Sequence, residues 1–178
     1  VTITANPPDT GKVFDKWTST DGVAFADASS ATTTFTMPTK AVTVTATYKN
    51  DPNTDTEIKN IEVKIRTSTD PWVSTELTPA YNQATRNYAA NIDTANQSIM
   101  IHLEEMVSGQ SVTATVDGVP LTVTKAGNLF NTAAHTLTKA TTVFVFTVTA
   151  KDGTTKDTYT VTVNRGSGTT YALTVING

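Results

Sequence analysis

Ile61-Glu62-Val63-Lys64-Ile65-Arg66 alternates apolar and charged side chains without a break. Successive side chains of a β-strand point to opposite faces, so this run places an aliphatic stripe on one face and charge on the other. A helix would scatter the same three aliphatic residues around its circumference. The run therefore reads as a half-buried strand.

The same period recurs outward from it. Ile99, Ile101 and Leu103 share a face, as do Tyr159, Val161 and Val163. Val42, Val44, Ala46 and Tyr48 line one side of a run whose other side is Thr43, Thr45 and Thr47. Val112–Val116 and Val119–Val123 flank Asp117-Gly118, a two-residue hairpin signal in which Gly accepts positive φ. Pro120 has no N–H to donate, which predicts an edge position for its strand. No stretch carries a sustained 3.6-residue period. Leu103-Glu104-Glu105-Met106 is the best helical turn and is too short to hold. The chain is predicted to be all-β.

Composition agrees. Thr is the commonest residue; it is stiff at χ1, favours extended backbone and keeps a hydroxyl for solvent. The formal charge of −3 offers no basic field for nucleic acid or anionic lipid. No run is long and apolar enough for a transmembrane helix, so membrane insertion is not expected. With no Cys, disulfides, thiolate metal sites and Cys nucleophiles are excluded. The strand-like start Val1-Thr2-Ile3-Thr4-Ala5 suggests a piece of a longer protein.

Two stretches read as joints. Asn50-Asp51-Pro52-Asn53-Thr54-Asp55 lacks apolar side chains, and Arg165-Gly166-Ser167-Gly168-Thr169 has a flexible composition. The expected division is a module at 1–49, a linker at 50–56, a module at 57–165, and a tail at 166–178. The second module has the length of a β-sandwich.

Gly11-Lys12-Val13-Phe14-Asp15-Lys16-Trp17, Thr33-Thr34-Phe35-Thr36-Met37-Pro38 and Val42–Tyr48 follow one another in the first module. This order resembles the divergent internalin-type B-repeats of bacterial surface proteins. The resemblance implies that Phe14 and Trp17 fill a small core. Repeats of this kind open with a strand that here appears at the other end, as Tyr171-Ala172-Leu173-Thr174-Val175-Ile176-Asn177-Gly178. The first module is thus expected to expose a pairing edge near Val1–Ala5, and the 170–178 strand to add to it head-to-tail between molecules.

Ile58–Ile65, Leu77-Thr78-Pro79-Ala80-Tyr81, Tyr88, and the hairpin Val148–Thr154 with Tyr159–Arg165 mark the second module. They resemble the cadherin-like β-sandwich domains of bacterial surface proteins. That resemblance implies an immunoglobulin/cadherin-like antiparallel β-sandwich following the small β-rich repeat module. It also implies a non-catalytic spacer in an extracellular setting, a Gram-positive cell surface or a secreted protein, with neighbouring domains of the same chain as partners. Residues 128–140 read as an irregular loop.

Chemistry is sparse. His102 should face outward and His135 sits in a loop-like run; neither has a second ligand at zinc spacing, and both read as solvated. Asp51, Asn53 and Asp55 alternate, but Pro52 interrupts them and no Gly and distal Glu follow, so a solvated linker is favoured over a weak calcium site. Glu104 and Glu105 would point to opposite faces of a strand. No nucleophile elbow or phosphate loop is present. The expectation is no enzyme, no catalytic residues, no metal and no cofactor. Trp72 follows Asp70-Pro71 outside any alternating run. It either plugs one end of the sandwich or, with Tyr81 or Tyr88, contacts a sugar or a host protein.

Overall fold

The computed structural model describes residues 1–166. The strand expected at Tyr171–Asn177 and its head-to-tail pairing lie outside the described residues. No helix occurs among those described. The chain divides into two compact units, Val1–Asp55 and a second beginning at Thr56.

The first unit contains β1 (Thr2–Thr4), β2 (Lys12–Thr18), β3 (Thr32–Thr34) and β4 (Thr45–Asn50). β1 pairs with β3 and β2 with β4, both antiparallel. Its aromatic core rests on a bulge. In a regular strand Phe14 and Trp17, three apart, would face opposite sides. The β2–β4 register shifts between Phe14 and Lys16, so Asp15 is the extra residue and both rings turn inward. Their centroids lie 5.8 Å apart, and Phe25 stacks on Trp17 at 6.3 Å. Asn50, read as linker, closes β4 instead, because Asn50 pairs with Lys12 at the β2 end. Val42 and Val44 precede β4 and are not part of a strand.

The second unit contains β5 (Ile58–Arg66), β6 (Val73–Thr75), β7 (Asn87–Ile92), β8 (Ser98–Glu105), β9 (Ser111–Val116) and β10 (Val119–Leu121). It continues with β11 (Val123–Ala126), β12 (Leu129–Thr132), β13 (His135–Thr136), β14 (Thr141–Thr149) and β15 (Lys156–Arg165). One sheet has the order β10-β9-β14-β15-β7. The other runs β11-β12-β8-β5-β6, with β13 also on β8. The two sheets enclose a core that includes Ile58, Val63, Ile101, Leu103, Phe144, Phe146, Tyr159 and Val161.

Residues 61–66 behave as their alternation requires, with Ile61, Val63 and Ile65 buried. Ile58 is buried as well, three positions from Ile61, because a second bulge makes Lys59 the extra residue against β8. The Asp117-Gly118 turn joins β9 to β10, with φ of 49° and 82°. Pro120 lies in β10, at a sheet edge.

One expectation needs correction. Residues 128–140 are not an irregular loop: β12 sits between β8 and β11, and β13 pairs with Ile99 and Ser98. Phe130 and Leu137 supply the buried apolar groups that anchor this stretch. The β-sandwich itself is as expected, built of antiparallel ladders apart from one pair: β15 runs parallel to β7 from Thr160↔Asn87 to Arg165↔Ile92. Parallel pairing needs a long crossover, and the strands between β7 and β15 supply it.

Candidate functional site

Three tyrosines and an arginine gather where the second unit begins. The Tyr159 hydroxyl, fully buried on β15, accepts from the Ile58 amide at 3.1 Å and reaches the Thr56 carbonyl at 3.4 Å. The Tyr81 hydroxyl donates to the Ile58 carbonyl. Tyr81 and Tyr88 stack with centroids 5.9 Å apart. Tyr88 ties its own loop, donating to the Asn82 carbonyl at 2.7 Å. Arg86 covers the Tyr159 ring at 4.6 Å and pairs with Asp157 at 2.5 Å. Burial, with the neighbouring Tyr159 and Tyr88 phenols, pushes the Tyr81 hydroxyl above the ordinary tyrosine range. Burial likewise raises Tyr159. The phenols therefore stay neutral and hold backbone.

The three tyrosines are among the residues that mark the second module in the sequence. Residues 58–166 match the cadherin-like beta sandwich domain family. The chain belongs to that family. Residues 1–52 match the divergent InlB B-repeat domain. No curated protein matches the chain. Both families are non-enzymatic structural domains typical of extracellular or surface proteins, and together they fit a modular surface-protein segment.

In this cadherin-like sandwich Tyr81 and Tyr88 are brought together, but Tyr88 is 3% exposed and both hydroxyls are engaged by backbone. Tyr81 also borders a shallow groove of about 380 Å³ with Asn60, Glu62, Thr75 and Ala80. Trp72 takes a different partner: the Arg66 guanidinium lies over its ring at 4.5 Å. The ring is half-buried just before β6.

The histidines are less solvated than their sequence positions suggest. His102 does face outward from β8, opposite Glu62, but it is half-buried among its neighbours. Burial and the Lys64 charge lower its pKa, against a smaller upward pull from Glu62. His135 is in β13, and its ring meets Phe144 edge-on at 5.7 Å. Asp51 accepts from the Asn53 amide at 2.9 Å, closing the turn before the second unit.

Sequence reading missed Glu105. Glu104 and Glu105 do point to opposite faces of β8: Glu104 meets Lys59, while Glu105 is buried. One Glu105 oxygen accepts from Lys125 Nζ at 2.6 Å and from the Gly109 and Gln110 amides at 2.9 and 3.1 Å. That set pins the turn after β8. Its only sequence signal is the inward parity shared with Ile99, Ile101 and Leu103.

Proposed function

We propose that this chain is a load-bearing spacer in a modular bacterial surface or secreted protein, supporting adhesion or display, with neighbouring domains of the same chain as its partners. The observation that carries this reading is the Tyr159 tie. β5 and β15 lie in different sheets, yet Tyr159 near the start of β15 holds Ile58 at the start of β5. At the far end Arg165 donates to the Asn96 carbonyl at 2.8 Å, and the Gln97 amide donates to the Arg66 carbonyl at 2.9 Å. The strands thus run the same way. From Tyr159 to Arg165 is six residues, or roughly 20 Å at about 3.3 Å each.

Tension applied at Ile58 and beyond Arg165 therefore acts along β15. Its ladders to β14 and β7 carry hydrogen bonds across the strand direction, so the bonds share the load. Single-molecule stretching of the second unit between residues 56 and 166 tests this. Tyr159→Phe, which removes the hydroxyl and keeps the ring, should lower the unfolding force with an unchanged circular dichroism spectrum. An unchanged force in both Tyr159→Phe and Tyr81→Phe would count against the load path.

A second reading, a carbohydrate- or host-protein-binding module, draws support from the Arg66–Trp72 pair on the outer face.

A further inference from the structure

We infer that Arg66, Trp72 and Lys64 form a surface subsite for a saccharide carrying a carboxylate, an inference that rests on the binding-module reading above. Arg66 closes β5, and its side chain leaves the sheet on the face away from the core, two positions from Lys64. Two residues along a strand bring side chains back to one face about 7 Å apart, which sets two cations side by side.

The arginine is the informative group. Arg86 is matched by Asp157 and the Gln83 carbonyl, and Arg165 by the Asn96 and Thr94 carbonyls. Arg66 stacks on Trp72, and its buried Nε has no hydrogen-bond partner. A buried donor without an acceptor is uncommon in folded proteins and calls for a cause. A guanidinium lying over an indole is held in place, and its Nη edge, unlike the covered Nε, remains open to grip a carboxylate through two parallel hydrogen bonds.

The surroundings specify the ligand further. Trp72 offers partly exposed apolar ring to the carbon–hydrogen face of a sugar. Ser68 and Thr69 in the adjoining loop are exposed hydroxyls, and Ser98 lies opposite Arg66 on β8. The exposed loop beside the pair suits one residue of a chain lying across the surface.

The nearby acids are partly engaged elsewhere. Glu62 meets Lys64 at 3.6 Å, takes the Ser74 hydroxyl at 2.5 Å and faces His102 at 3.7 Å. Asp70 is bonded to the Thr67 hydroxyl. Its negative charge beside the site opposes a dianion, which favours a monoanionic carboxylate over phosphate.

The test is a nuclear magnetic resonance titration of the full chain with tetragalacturonic acid, maltotetraose and inorganic phosphate in turn. The acidic tetrasaccharide should shift the Trp72 indole and Arg66 Nε–H signals, while the other two leave them in place. Arg66→Met, which keeps the stem against the ring, should weaken binding by about tenfold or more, as expected for losing a charge-assisted pair. Trp72→Ala should abolish it, with the remaining spectrum showing that the sandwich is folded. Maltotetraose binding with equal affinity, unchanged in Arg66→Met, would overturn the acidic-saccharide subsite and leave the binding-module reading standing. Phosphate binding as strong as the uronate would overturn the saccharide assignment. No shift with any probe up to about 10 mM, the weak limit of useful recognition, would overturn the subsite.

Discussion

At the scale of single residues, what could be read in advance depended on whether a side chain answers to its own backbone or to a distant strand. Asp117-Gly118 announced its turn because the signal and the structure are two adjacent residues. Tyr159 and Glu105 could not be assigned roles, since their partners lie about a hundred residues away for one and on two separate segments, the 109–110 turn and β11, for the other. The β14–β15 turn is a local case with a measurable consequence. Asp152 accepts from the Thr155 hydroxyl at 2.6 Å and from the Thr154 and Thr155 amides, each at 2.8 Å. The Thr155 hydroxyl first, then those amides, hold its carboxyl well below the ordinary 3.8. A carboxylate with a depressed folded pKa contributes stability that is complete above the unfolded value and fades as pH falls through the folded one. Asp152→Asn keeps an acceptor and removes the titration. Urea denaturation from pH 7 down to about 2, well below the usual Asp value, should therefore show a smaller loss for the variant than for the native chain. Parallel curves would reject that role.

At the scale of elements, alternation exposed the strands but not their irregularities. Phe14 with Trp17, and Ile58 with Ile61, break strict parity in the sequence, and each pair is reconciled by one extra residue, Asp15 or Lys59. A spacing of three between inward residues is the mark a bulge leaves, legible once the core is known. β12 was hidden for another reason. Leu129–Thr132 is too short to show a period, and its strand character comes from β8 and β11 on either side. Its weight in the fold should nevertheless be large. Phe130 is 3% exposed, faces Leu103 in the register, and takes Lys125 over its ring at 4.9 Å. Phe130→Ala should cost about 3–5 kcal/mol in urea unfolding, the usual penalty for emptying a packed aromatic site. Leu129→Ala, next to it on the open face, should stay within about 1 kcal/mol. Equal losses at the two positions would mean that β12 is not packed as described.

At the scale of the whole chain, the two compact units meet just after the polar stretch 51–55, which lacks apolar side chains to bury. How different their cores are was not legible, since alternation reports direction and not depth. In the first unit Trp17 and Phe35 are the buried hydrophobic side chains, with Phe14 and Phe25 half-buried around them. The second unit buries long stripes from β5, β8, β14 and β15. A unit of 55 residues without disulfides sits near the lower size limit for independent stability, where only about 60% of the unfolded surface is removed from water. The two units should therefore unfold separately, the first at lower denaturant. The two tryptophans allow a direct reading, because Trp17 belongs to one unit and Trp72 to the other. With Trp72→Phe in place, Trp17 emission should shift red at a lower urea concentration than the main far-ultraviolet transition. A domain covering residues 56–166 should keep that main midpoint. One shared transition by both probes, absent from the excised domain, would instead show that the first unit contributes to the stability of the second.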